Sequence, residues 1–239
     1  MKKVIICITL VILIVTACSP APQATEGPII DEQPPPTDIP MDLTPAQRAA
    51  ITALSENLDL PADTITVVST EAVEWPDGCL GVQEEGLVCT QVITPGFRVI
   101  LEANGKQVEY RTNEDGTQIR PATVAMTWKR EGGIAGFCDY MTVYLSGEVH
   151  VSSCNQGQYV EERLVDVLSE DEIAKLDEWL SKYGNLNIDA SDPKGVSDRM
   201  VVVLTFAGVG NDQTLTTSDQ QVLVKFAQEL HQRSSLPIK

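Results

Sequence analysis

Apolar and polar residues alternate on both sides of residues 145–147, and this pattern predicts a β-hairpin. A three-residue loop closed by its glycine sets Met141 opposite Val151 and Cys138 opposite Cys154. One face of the hairpin is then apolar, and a shift of one residue would turn that face outward and separate the cysteines. The other face carries the side chains of Tyr140, Thr142, Tyr144, Glu148 and His150.

Strands and helices are predicted around this hairpin. Residues 123–129 alternate and predict a preceding strand, whereas residues 200–206 are nearly all apolar and predict a strand covered on both faces. A capping box that starts at Ser169 begins one helix, and the polar run 217–221 begins the last helix. We therefore predict an α+β domain over residues 122–239, with helices packed against a mostly antiparallel sheet.

A second small α+β domain is predicted over residues 43–121. Thr44 is followed by proline and glutamine at the spacing of a helix N-terminus, and residues 64–69 and 71–75 predict two strands. The dipeptide at residues 104–105 is Asn-Gly, which predicts a hairpin with a two-residue turn. That hairpin places Leu101 opposite Val108 and Val99 opposite Tyr110, so a helix laid over an antiparallel sheet follows.

The first residues predict export and lipid anchoring. Residues 1–17 begin with lysines and continue as an apolar run too short to span a membrane, which is typical of a signal peptide. The run ends at Cys18 in a segment that resembles a bacterial lipobox, whose cysteine receives a diacylglycerol. The alternative is an ordinary signal peptide with an incidental cysteine.

Residues 18–42 are rich in proline and acidic residues and poor in large apolar side chains. Such a segment cannot bury enough surface to offset its ordering entropy, so we predict a disordered tether. A motif for a proline-recognising partner is the alternative.

The charge and the cysteines narrow the compartment and the partners. The net charge is −17, which argues against nucleic acid and against anionic lipid headgroups. Cys7 leaves with the signal peptide and Cys18 is predicted to be acylated, so Cys79, Cys89, Cys138 and Cys154 remain. Their spacing favours the disulfides Cys79–Cys89 and Cys138–Cys154 over a metal site, as expected for an exported chain.

The run Trp75-Pro76-Asp77-Gly78-Cys79-Leu80-Gly81, with Cys89 and the later Thr-Pro-Gly and Tyr-Arg-Thr segments, resembles a small domain of uncharacterised bacterial envelope proteins. The order of helix and sheet is also similar to cystatin-like and PepSY-like modules. Neither resemblance implies an activity.

The segment that begins at Arg130, Arg-Glu-Gly-Gly-Ile-Ala-Gly-Phe, resembles the emfourin family of small inhibitors of protealysin-type metalloproteases. The resemblance implies a protein-binding surface and a zinc metalloprotease as its partner. Ile134 and Phe137 are the candidate anchors of that surface, and the alternative is that both are core residues. The predicted partner-binding residues are Arg130, Gly132, Gly133, Ile134, Ala135, Gly136 and Phe137.

We predict neither enzymatic activity nor a cofactor. No familiar catalytic or nucleotide-binding motif appears, and His231 is placed near a helix end, where a histidine is usually solvated. The acidic pairs at residues 84–85 and 161–162 are predicted to be solvated, although a glycosidase pair stays open as an alternative. The leading hypothesis is a lipid-anchored extracytoplasmic binding module, followed by a non-inhibitory structural or interaction lipoprotein and then by an undetected hydrolase.

Overall fold

The computed structural model describes residues 42–155, 158–159, 164–212 and 214–235, and the side chains of residues 154–165 are outside the described set. The predicted signal peptide, Cys18 and the tether up to residue 41 therefore lie outside the described residues. Among the described residues, none of the helices is long and apolar enough to cross a membrane.

The described residues form three α-helices and eleven β-strands. The helices are α1 Pro45–Leu58, α2 Glu170–Lys182 and α3 Thr217–Ser234. The strands are β1 Thr66–Trp75, β2 Thr94–Ala103, β3 Lys106–Asn113, β4 Ile119–Pro121, β5 Val124–Gly132, β6 Phe137–Tyr144, β7 Glu148–Asn155, β8 Gln158–Tyr159, β9 Leu164–Val167, β10 Asn185–Asp189 and β11 Met200–Ala207. The predicted α+β class is confirmed.

The first sheet is antiparallel, with strand order β1-β2-β3-β4, and α1 packs on one of its faces. Asn104 and Gly105 both adopt positive φ, as the predicted two-residue turn requires. Leu101 pairs with Val108, as the sequence predicts. The apolar face of α1 then meets alternate residues of β2 and β3 in a closed hydrophobic cluster.

The two strands predicted for residues 64–69 and 71–75 are a single strand, β1, so that prediction was wrong. A bulge between Val67 and Ser69 shifts the register against β2 by one residue. The bulge lets the strand bend and continue instead of ending.

The second sheet contains seven antiparallel strands, in the order β10-β11-β5-β6-β7, and β7 also pairs with β8 and β9. The hairpin of β6 and β7 has the predicted register, with Met141 opposite Val151 and Val143 opposite Val149. Gly147 has a φ of 83°, which the bulged turn needs. The apolar face of this hairpin lies beneath α2 and α3 in the main hydrophobic core.

The outer face of the second sheet is only partly covered. In β11, Val202, Leu204 and Phe206 are buried in the core, whereas Val203 and Thr205 are half-buried on the other face. The prediction of a strand covered on both faces was therefore wrong. The helices cover one face of this strand, and the half-buried residues border a groove on the other.

The two sheets belong to one compact unit but have separate hydrophobic cores. Leu145 packs against both cores. The two sheets are also joined by polar contacts between the first half of the chain and the polar face of the β6–β7 hairpin.

Candidate functional site

The predicted partner-binding segment forms the turn of the β5–β6 hairpin. Gly132 ends β5, Phe137 begins β6, and the amide of Gly136 donates to the carbonyl of Gly133 at 3.0 Å. Gly132, Gly133 and Gly136 have φ values of 86°, 70° and 64°. Since side chains are strained at such angles, the glycines make this tight turn possible.

The turn is fixed against the connection between β10 and β11. The amide of Gly133 donates to the carbonyl oxygen of Arg199 at 3.2 Å. A Cβ atom on Gly132 would lie 2.5 Å from the same oxygen, so a larger residue would push the two segments apart. Asp192 closes the neighbouring connection by accepting the amide of Met200 at 2.8 Å.

The two candidate anchors have different surroundings. Ile134, at the tip of the turn, is 88 % exposed, so the alternative that it is a core residue is wrong. Phe137 is half-buried, and the guanidinium carbon of Arg130 lies 3.8 Å from its ring centroid. Arg130 is held in turn by Asp139, with Nε donating to a carboxylate oxygen at 2.9 Å. Ile134 is thus exposed at the tip of a turn whose base is held by Phe137 and Arg130.

The loop that follows β1 is closed by the predicted Cys79–Cys89 disulfide, which the structure contains. Asp77 accepts the amides of Cys79 at 2.9 Å and Gly81 at 3.0 Å and thereby orders the start of the loop. Among the described residues, one group of three potential metal ligands lies close enough together to hold an ion, namely Asp77, Cys79 and Cys89. Metal binding requires thiolates, and the disulfide consumes both thiols.

The second predicted disulfide is only partly within the described residues. Cys138 is disulfide-bonded. The side chain of Cys154 lies outside the described set, so the pairing of Cys138 with Cys154 stays a prediction.

The loop inserts Glu84 into a buried polar cluster on the β6–β7 hairpin, so the prediction of a solvated Glu84 was wrong. Its side chain is 5 % exposed. One carboxylate oxygen accepts the hydroxyl of Tyr144 at 2.6 Å and lies 3.2 Å from Nδ1 of His150. The polar face of the hairpin is therefore covered by the first half of the chain.

The opposite side of the His150 ring meets a second carboxylate. Nε2 of His150 lies 3.0 Å from a carboxylate oxygen of Glu148, and Asn57 of α1 donates to the other oxygen at 2.8 Å. Burial raises the pKa of Tyr110, and the charge of Glu148 raises it further. The Tyr110 hydroxyl donates to the same carboxylate at 3.4 Å. The cluster ties α1, β3, the disulfide loop and the hairpin together.

His231 is buried, so the prediction that it is solvated was wrong. Its ring lies 4.8 Å from the ring of Trp128, centroid to centroid. Burial lowers the pKa of His231, the charge of Asp139 opposes this shift, and the charge of Arg130 reinforces it. The acidic pair at residues 161–162 lies outside the described residues.

Comparison with known proteins gave one family. A domain of unknown function (DUF8738) matches residues 47–121, which contain most of α1 and all of the first sheet. Searches of curated proteins and of solved structures gave no match. The matching family brings no activity with it, and the emfourin resemblance of the second sheet stays a prediction.

Proposed function

We propose that this chain is a lipid-anchored extracytoplasmic binding module that contacts another protein through the β5–β6 turn. A zinc metalloprotease is the favoured target, because of the emfourin-like segment. The observation that carries the proposal is the exposure of Ile134 at the tip of a glycine-rich turn.

The surroundings of the turn favour a binding role. Its base is held by the contact of Gly133 with Arg199 and by the Arg130–Asp139 ion pair. A turn that is already ordered loses less conformational entropy on binding than a free loop does. A single exposed branched side chain on such a turn is suited to fill an apolar pocket of a partner.

Attachment to a bacterial membrane through Cys18 is the second part of the proposal. The short apolar run before this cysteine and the proline-rich segment after it support lipid anchoring, with residues 18–42 as the tether. A diacylglycerol has the two chains that stable anchoring needs. Cys18→Ala should release the protein from membranes washed with carbonate, and retention of the variant would contradict the anchor.

We propose that the protein is not an enzyme, because the side chains best suited to catalysis already contact other side chains. Both ring nitrogens of His150 face carboxylates in a buried cluster. This arrangement suits a structural joint better than proton transfer to a substrate.

The intact chain should inhibit a thermolysin-like metalloprotease of the protealysin type. Ile134→Ala should weaken inhibition without lowering the melting temperature, because Ile134 is exposed. Phe137→Ala should weaken inhibition and also lower the melting temperature, since Phe137 supports the turn. If the intact protein inhibits none of several such proteases, the non-inhibitory interaction lipoprotein becomes the better account.

A further inference from the structure

Strand β10 forms an open edge of the second sheet. Within the part of the chain that the structure describes, β10 pairs with β11 alone. The amide of Ala190 donates to the carbonyl oxygen of Val202 at 2.9 Å and continues the register of this pairing. Since hydrogen-bonded pairs alternate along an antiparallel ladder, the even-numbered residues of β10 bond to β11. The backbone N–H and C=O groups of Asn185, Asn187 and Asp189 therefore point away from the sheet.

This edge lacks the features by which sheets usually avoid pairing with another chain. Open edges are commonly protected by charged residues, a proline or a bulge. The β1 edge of the first sheet has the exposed residues Glu71 and Glu74 and a bulge. In β10 there is neither a proline nor a bulge, and its one charged residue, Asp189, lies at its end. β10 is therefore open to a further strand, whereas β1 is protected.

A groove beside β10 has room for the side chains of an added strand. The groove has a volume of about 290 Å³ and lies between residues 188–190 and α3. Ile188 and Val224 give it an apolar part, and Gln220, Gln221 and Gln228 give it a polar part. A glutamine amide can both donate and accept hydrogen bonds. An extended chain that pairs with an edge strand commonly places its side chains in such pockets.

The charges around this groove are balanced, unlike those of the chain as a whole. The net charge of the chain is −17, so two copies of it repel each other. The charged residues that line the groove are Asp189 and Lys225, one of each sign. Lys225 also pairs with Glu229, which does not line the groove. A second copy can therefore approach this edge without the repulsion that an acidic surface would cause.

The sequence of β10 is complementary to itself in one antiparallel register. A two-fold axis at Asn187 sets this residue opposite its own counterpart and sets Asn185 opposite Asp189 of the other copy. The backbone groups that point away from β11 then bond across the axis. No two charges face each other, and Leu186 of one copy meets Ile188 of the other.

We infer that two copies of this chain associate through β10, paired antiparallel about Asn187, so that their seven-stranded sheets join into one continuous sheet. Each copy contributes the same surface, as in the two-fold dimers that are the commonest oligomers. The inference concerns a different surface from the β5–β6 turn and does not depend on it.

Two lysine substitutions on the same face of β10 test the register, with sedimentation of the full-length chain in detergent as the measurement. Asn187→Lys sets two lysines opposite each other and should raise the dissociation constant of the dimer about threefold to fivefold. Asn185→Lys is the matched control, because it sets each lysine opposite Asp189 and should not raise the dissociation constant. Both positions are exposed, so melting temperatures should show that both variants fold.

Disulfide trapping tests the same register by distance. Asn187→Cys should form a covalent dimer under mild oxidation, unlike the unchanged protein, because the two Cα atoms of a hydrogen-bonded pair lie about 5.5 Å apart. Asn185→Cys should not, because its two copies are four residues apart along the strands, about 14 Å. The inference is overturned if the unchanged protein is monomeric at the highest concentration measured, if both cysteine variants link equally, or if both lysine variants associate equally.

Discussion

The carboxylate of Glu84 lies 3.2 and 3.3 Å from Nδ1 of His150, although the two residues are 66 positions apart. Glu84 comes from the disulfide loop of the first half of the chain, and His150 from the central hairpin of the second half. Both side chains are 5 % exposed. This contact joins the two sheets, and its removal should affect the stability of the whole folded unit.

Glu84→Ala should lower the free energy of unfolding by about 3 kcal/mol, because it leaves the buried Tyr144 hydroxyl and the His150 ring without this carboxylate. Urea unfolding measures the change. Glu74→Ala is the control, since Glu74 is exposed on β1, and it should change stability by less than about 0.5 kcal/mol. Equal effects of the two substitutions would show that the cluster is not a structural joint.

Gly132→Ala should destabilise the protein more than Gly136→Ala. Gly136 has open space around its Cβ position, so alanine adds only the strain of a positive φ, about 1 kcal/mol. At Gly132 the same strain is joined by overlap with the carbonyl oxygen of Arg199, which adds about 1–3 kcal/mol. Urea unfolding of the two variants gives the comparison, and a reversed order would contradict the described turn.

Stability should fall as the pH decreases from about 7 to about 5, in part because of His231. Its pKa is lowered in the folded protein, so the unfolded chain binds the proton more readily below its ordinary pKa of 6.5. The stability is therefore present above that value and is lost on acidification. His231→Phe keeps an aromatic ring beside Trp128 but removes the titration.

Urea unfolding at both pH values should show a smaller loss for His231→Phe than for the unchanged protein. Carboxylates with lowered pKa values titrate mainly below this window, and His150 is present in both proteins, so the difference isolates His231. An identical pH dependence in the two proteins would contradict the assignment.

Replacing Cys79 and Cys89 together by alanine should cost about 2–3 kcal/mol, the loop-closure entropy expected for a short loop. The loop that carries Glu84 should also become accessible, so a protease should cleave it sooner.

Peptide mapping without reduction tests the second predicted disulfide, and recovery of Cys138 joined to Cys154 is the expected result.

Strand pairing is predicted best from the sequence where the signals are local and agree with one another. The β6–β7 hairpin has its predicted register because the turn glycine, the alternation and the cysteines demand the same pairing. The β2–β3 hairpin is similar, because Asn104 and Gly105 determine the turn. At β1 the local pattern misled, since a bulge is not visible as a change in residue type.

The buried cluster could not be predicted in the same way. The position of His150 on the polar face follows from the hairpin, but Glu84 lies in an irregular loop without periodicity. Its burial depends on how the first half of the chain packs on the second, and no local signal encodes that packing. The exposure of Ile134 could not be predicted either, because a glycine-rich turn between two strands fits both a core position and a surface position.

The most direct test of the proposed function compares Ile134→Asp with Val209→Asp in binding to a protealysin-type metalloprotease. Val209 is 87 % exposed and follows the end of β11 opposite to the β5–β6 turn, so it matches Ile134 in exposure but not in location. The proposal predicts that Ile134→Asp raises the dissociation constant at least about tenfold, whereas Val209→Asp leaves it unchanged. Equal dissociation constants for the two variants would contradict the turn as the contact surface.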